Sequence, residues 1–103
     1  MSFLQNLFGG GQTPDLKTII EQGAFLVDVR GTGEFAQGSV PGAVNIPLDA
    51  LTSQLSKFKD KENIIVFCRS GNRSGQAKLL LEENGFQNVV NGGTWENVNQ
   101  FVL

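Results

Sequence analysis

Apolar residues fall into short blocks along the chain, and the change of spacing from block to block marks the elements. Leu16, Ile19 and Ile20 share a helical face that ends before Gly23, with Thr13 as N-cap, Pro14 at the first helical position and Asp15 suited to the dipole. Ala24 to Val29 is a nearly continuous apolar run, the pattern of a strand covered on both faces in a parallel sheet, and it holds Asp28 near its end. From Arg30 to Pro47, glycines and prolines predict mostly loop and edge, with Val40 and Ala43 to Ile46 as short extended pieces. Leu48, Leu51, Leu55 and Phe58 recur at steps of three and four, predicting a helix that starts near Asp49 and is closed by the polar run Lys59 to Asn63.

Ile64 to Phe67 is β-branched and aromatic, the composition of a buried mid-sheet strand, and it leads directly into Cys68. A helix is predicted from about Ser74 to Asn84, with Ala77, Leu80 and Leu81 inward and Gly85 as its stop. Asn88 to Val90 is the last strand, Gly92-Gly93 reads as a turn, and Trp95, Val98, Phe101 and Val102 share a final helical face. Alternating strands and helices imply an α/β domain, doubly wound around a mostly parallel sheet with helices on both faces. Residues 1–12 pair Phe3, Leu4, Leu7 and Phe8 with the run Gly9-Gly10-Gly11 and read as a flexible N-terminal segment, leaving 13–103 as the domain.

Composition removes whole classes of function. The 103 residues suffice for one core and not two, and a formal net charge of −2 argues against a nucleic-acid binder. No run approaches the roughly 20 apolar residues that span a bilayer, and the N-terminus lacks the pattern of a secretory signal, so the expectation is a cytoplasmic protein, and the domain is large enough to be a monomer. With one cysteine and no histidine, no internal disulfide and no Cys/His metal site can form, and no metal or cofactor is expected. Without histidine, Ser-His-Asp and Cys-His catalysis are also excluded, so any nucleophile must be activated by other means.

Cys68 supplies such a nucleophile. It sits at the carboxyl end of a strand, where open α/β sheets bind their ligands. The segment Cys68-Arg69-Ser70-Gly71-Asn72-Arg73-Ser74 joins a soft nucleophile to two guanidinium groups, a permissive glycine and short side chains that leave backbone N–H groups open. At a helix N-terminus such N–H groups form an anion nest, and the same field stabilises a thiolate, lowering a cysteine pKa from about 8.5 into a range of roughly 3.5 to 7.5. A cysteine that served only as a small core hydrophobe would leave these two arginines and the glycine unexplained.

Four segments, in order, resemble the rhodanese family: Asp28-Val29-Arg30; Gly33-Glu34-Phe35 followed by Gly38-Ser39-Val40-Pro41-Gly42-Ala43-Val44-Asn45-Ile46-Pro47; the loop Cys68 to Ser74; and Gly85-Phe86 through Val89 to Gly92-Gly93 and Trp95. The likeness covers about residues 14 to 98; Ser39 stands where the family often has histidine and is expected to alter a loop hydrogen bond, Asn91 stands where leucine is common, and Trp95 comes two places early. It implies a sheet of about five strands and Cys68 as the carrier of a sulfane sulfur, taken from a small anionic donor such as thiosulfate or a persulfide and passed to cyanide, a thiol or a protein cysteine. It further implies that Arg69 and Arg73 hold the donor's oxygens while the loop amides cradle the persulfide. Asp28 and Arg30 are expected to support the loop as an ion pair, Glu34 to be a solvated or loop-fixing carboxylate, and Trp95 to belong to the core.

Two other readings compete. A phosphatase or arsenate reductase of related fold resembles C-x5-R, whereas Arg73 here makes C-x4-R; a non-catalytic binding module of this fold commonly lacks the cysteine. A doubly cationic loop favours thiosulfate over 3-mercaptopyruvate as donor.

Overall fold

The computed structural model describes residues 15–102, so Thr13, Pro14 and the segment 1–12 lie outside the described residues. Five elements alternate regularly at first: helix α1 (Leu16–Glu21), strand β1 (Phe25–Asp28), helix α2 (Thr32–Gln37), strand β2 (Val44–Asn45) and a kinked 3₁₀ segment (Leu48–Phe58). Strand β3 (Ile64–Cys68), helix α3 (Asn72–Glu83), strand β4 (Val89–Thr94) and helix α4 (Trp95–Asn99) complete the chain. Among the described residues the sheet has four strands in the order β2-β1-β3-β4, and every neighbouring pair is parallel. The α/β class with helices on both faces is as the pattern predicted, with four strands in place of about five.

Why β3 is central follows from its side chains, all of which are buried. Successive residues of a strand point to opposite faces. Ile64, Val66 and Cys68 therefore join one core, packed with Leu51 and Phe58 of the 3₁₀ segment and Ala77 and Leu81 of α3. Ile65 and Phe67 join the other, with Leu16 and Ile19 of α1 and Trp95 and Val98 of α4. Cys68 thus sits on the face that α3 covers, at the point where β3 hands the chain to that helix.

Local chemistry corrects four expectations. Asp15 is the residue that precedes α1, and its Oδ2 accepts the Thr18 hydroxyl at 2.7 Å. Leu48–Phe58 buries the predicted face but is 3₁₀, beginning with Ala50 N–H donating to Pro47 O, and Gln54 (φ −126°, ψ 29°) kinks it. Ser53 Oγ donates to Ala50 O at 2.8 Å, offering that carbonyl a partner other than an α-helical amide. Helix α2 occupies part of the stretch predicted as loop, because Glu34 reaches back to accept the Gly31 N–H at 3.1 Å and satisfies an orphan donor of the first turn. Helix α3 begins at Asn72, two residues before the predicted start, after Gly71 turns the chain with φ +94°.

The largest departure is at β4, which runs through the glycine pair predicted as a turn. A bulge opposite Val66 and Phe67 shifts the register so that Asn91 faces Val66 and Gly93 faces Phe67. Gly92 is needed because another residue's Cβ there would lie 2.6 Å from Val98 Cγ2 and 2.9 Å from Ile65 Cγ2. Gly92→Ala is expected to lower unfolding free energy by about 2 kcal/mol, the scale of overpacking a filled core, measured by chemical denaturation. Stability equal to wild type would mean that α4 moves away without cost and that the close approach is not a constraint.

Candidate active site

The loop after β3 wraps its own sulfur. Cys68 is fully buried, and its Sγ accepts the Gly71 N–H at 3.0 Å and the Ser74 N–H at 3.4 Å, with Ser74 Oγ also 3.4 Å away. Gly71 makes this possible: its left-handed φ reverses the chain, so that the amides of the first turn of α3 face back toward the strand end. Burial pushes the Cys68 thiol pKa up, but hydrogen bonds from the Ser74 hydroxyl and from the amides of Ser74, Ser70 and Gly71 outweigh it and bring the value below its ordinary 9.0. The thiolate is stabilised without histidine, by the Ser74 hydroxyl and by backbone amides at a helix N-terminus.

The two arginines of the loop are placed differently. Arg73 Nη1 and Nη2 donate to Glu34 Oε1 and Oε2 at 2.9 and 3.0 Å, a two-point pair that ties α3 to α2. Glu34 is therefore the loop-fixing carboxylate, its pKa lowered to about 2 by the Arg73 guanidinium and the Gly31 N–H. Arg69 is exposed and makes no ion pair among the described residues. It lines a cleft of about 330 Å³ together with Arg30, Glu34, Gln37, Trp95 and Glu96. The Asn72 N–H donates to Ser70 Oγ at 3.5 Å.

Asp28 and Arg30 form a buried pair at the end of β1. Arg30 Nη2 lies 2.7 Å from Asp28 Oδ2, Arg30 Nε is 3.0 Å from both carboxylate oxygens, and the Arg30 amide donates to Oδ1 at 2.9 Å. Such a pair survives burial only when its remaining valences are also met. Here Ser39 Oγ donates to Asp28 Oδ2 at 2.7 Å, Arg30 Nη2 donates to Gly38 O at 2.6 Å, and Trp95 lies under the guanidinium at 5.3 Å. The pair pins the Gly38-Ser39 loop and Trp95 beside the cleft, with Ser39 hydrogen-bonded to Asp28.

One residue beside the loop shows in the sequence only as a departure from the family pattern, with no sign of its contacts. Asn91, in β4, accepts the Ser74 hydroxyl at 2.7 Å and the Gly93 N–H at 2.9 Å on Oδ1, and donates from Nδ2 to Gly71 O at 3.2 Å. An asparagine before two glycines reads as turn chemistry, and only the sheet register brings it to Ser74. Among the described residues no cluster of His, Cys, Asp and Glu fits a metal ion, and no helix is long and apolar enough to cross a membrane.

Known proteins resemble this chain over most of its length. A family model described as a rhodanese-like domain matches residues 12–96. The Escherichia coli protein named thiosulfate sulfurtransferase PspE is 36% identical, over 70% of this chain and 71% of that protein. A protein of Allochromatium vinosum named sulfurtransferase is 36% identical over 64% of this chain, which spans only 62% of that relative's length. A solved structure described as a rhodanese with anions from E. coli superposes with a TM-score of 0.66 at 34% identity, covering 72% of this chain and 89% of that one.

The Arg73–Glu34 pair has a defined pH signature. Because the Glu34 pKa falls from 4.5 to about 2 on folding, its contribution to stability is present above 4.5 and lost as pH falls toward 2. Wild type is expected to be more stable than Glu34→Gln at neutral pH, with the two unfolding curves converging between pH 4.5 and about 2. A gap that stays constant across that window would show that the carboxylate charge is not what holds Arg73.

Proposed function

The chain belongs to the rhodanese-like family, and on that premise we propose that it is a sulfurtransferase whose carrier is Cys68. The observation that carries the reading is the amide nest around Sγ: N–H donors from Gly71 and Ser74 are arranged to hold negative charge on sulfur at a strand end. In the first half-reaction the Cys68 thiolate attacks the outer sulfur of thiosulfate. A new S–S bond forms, the donor's S–S bond breaks, and sulfite departs with the bonding electron pair, leaving a persulfide anion on Cys68. In the second, cyanide or a thiolate attacks the outer sulfur and the Cys68 thiolate is regenerated.

The side chains divide the remaining work. Arg69, exposed in its cleft and without an ion-pair partner among the described residues, would meet the donor's anionic oxygens. Arg73, bound at both ends of its fork by Glu34, would hold the loop in shape and contribute its charge from a distance, which separates two arginines that looked equivalent in the sequence. Ser70, Gly71, Asn72 and Ser74 supply loop backbone and amides, and Asp28 with Arg30 supports the wall of the cleft. Because Sγ is buried, attack requires a small donor and movement of the exposed rim at Arg69 and Ser70.

Thiosulfate-to-cyanide transfer, read as thiocyanate, tests the proposal. Wild type is expected to turn over and Cys68→Ser to be inactive. Arg69→Ala should raise KM for thiosulfate roughly tenfold, the scale of one charge-assisted contact, while Arg73→Ala should act mainly on stability. Hydrolysis of an aryl phosphate or reduction of arsenate without thiocyanate formation would overturn it, and turnover of 3-mercaptopyruvate equal to that of thiosulfate would overturn the choice of donor.

A further inference from the structure

Ser74 has one hydroxyl proton and two neighbours that can accept it. Its Oγ lies 2.7 Å from Asn91 Oδ1 and 3.4 Å from Cys68 Sγ. The orientation of the Asn91 amide is fixed by groups that cannot exchange roles: the Gly93 N–H, which only donates, meets Oδ1 at 2.9 Å, and the Gly71 carbonyl, which only accepts, meets Nδ2 at 3.2 Å. Oδ1 is therefore the acceptor that faces Ser74. In this arrangement the Ser74 proton rests on Asn91 and an oxygen lone pair faces Sγ, where it can accept from a thiol; the support that the hydroxyl gives a thiolate requires that proton to turn from Asn91 to Sγ.

We propose that Asn91 is a positioning residue for the sulfur centre, holding the single Ser74 hydroxyl proton in competition with Cys68 Sγ. When Cys68 is a thiol, its S–H donates to Ser74 Oγ and the Ser74 proton rests on Asn91. When the proton leaves the sulfur for solvent, the hydroxyl turns and donates to Sγ, and Asn91 Oδ1 keeps the Gly93 N–H. Asn91 thereby sets how readily the loop's one side-chain donor is released to a charged sulfur. It is exposed, so shortening its side chain opens no core cavity.

The inference rests on the reading of Cys68 as sulfur carrier only for its functional consequence, since the proton competition is measurable with no sulfur donor present. Cys68 is the only cysteine in the chain, so the pH dependence of alkylation by iodoacetamide reports it alone. The charged groups around it are Arg69 and Arg73 on the loop and its helix, Asp28 and Arg30 at the end of β1, and Glu34 on α2; all stay in place in every variant.

Asn91→Ala frees the Ser74 hydroxyl and should move the alkylation midpoint down by about one pH unit, the order of one hydrogen bond to a charged acceptor. Ser74→Ala should move it up, and adding Asn91→Ala to Ser74→Ala should produce no further downward shift. A role confined to bracing the loop predicts the opposite sign, because a slackened loop loses amide donors to sulfur and the midpoint of Asn91→Ala rises. A rise, no change, or a downward shift that persists without the Ser74 hydroxyl would each overturn the proposal. Should Asn91→Ala fail to fold, Asn91→Leu, which keeps the side-chain volume but removes the acceptor and adds no charge, should likewise move the midpoint down, with a rise or no change overturning the inference. Variants that titrate as expected while the wild type transfers no sulfur would overturn the proposed reaction and leave the proton competition standing.

Discussion

A sulfur atom with no solvent exposure can hold a negative charge only if hydrogen-bond donors replace the water it has lost. In this chain those donors are backbone amides together with the Ser74 hydroxyl, and the geometry that collects them constrains everything around Cys68. Gly71 has to take a left-handed φ so that the first turn of α3 doubles back over the strand end. α3 must then lie on the Cys68 face of β3, which the alternation of Ile64, Val66 and Cys68 against Ile65 and Phe67 provides. The central strand is buried on both faces so that its last residue can be presented at a fixed place.

Around that nest, two ion pairs of different character hold the walls. Asp28 and Arg30 are buried and saturated with additional hydrogen bonds, so their value lies in fixing the Gly38-Ser39 loop and Trp95 rather than in net Coulomb energy. Arg73 and Glu34 are partly exposed and connect helices that are distant in the sequence. The result is a division of charge: one loop arginine is consumed in structure, and Arg69 is left facing the cleft. Neutral donors hold the sulfur and cationic groups stand back from it, an arrangement that stabilises a thiolate without masking it behind a contact ion pair.

What could be read in the sequence was what local pattern determines. The apolar run into Cys68, the inward Ala77 and Leu81, and the face formed by Trp95 and Val98 each follow from periodicity, and each is found in the core. Helix α2 escaped notice because its six residues hold few apolar positions, and its support comes from Glu34 reaching Gly31 and from Arg73 far along the chain. The extension of β4 escaped because Gly92-Gly93 resembles a turn, whereas Gly92 serves the close approach of Val98 and Ile65. The unequal placement of Arg69 and Arg73, and the contact of Asn91 with Ser74, arise from packing between segments that no local pattern connects.

The most direct test of the account is the intact mass of the protein after exposure to thiosulfate and removal of excess donor. The account predicts a gain of one sulfur atom, mapped to Cys68 by peptide analysis, lost on addition of cyanide and missing in Cys68→Ser. A protein whose mass does not change under conditions where Cys68 is alkylated readily would contradict it, because the nest would then hold a thiolate that does not accept sulfur.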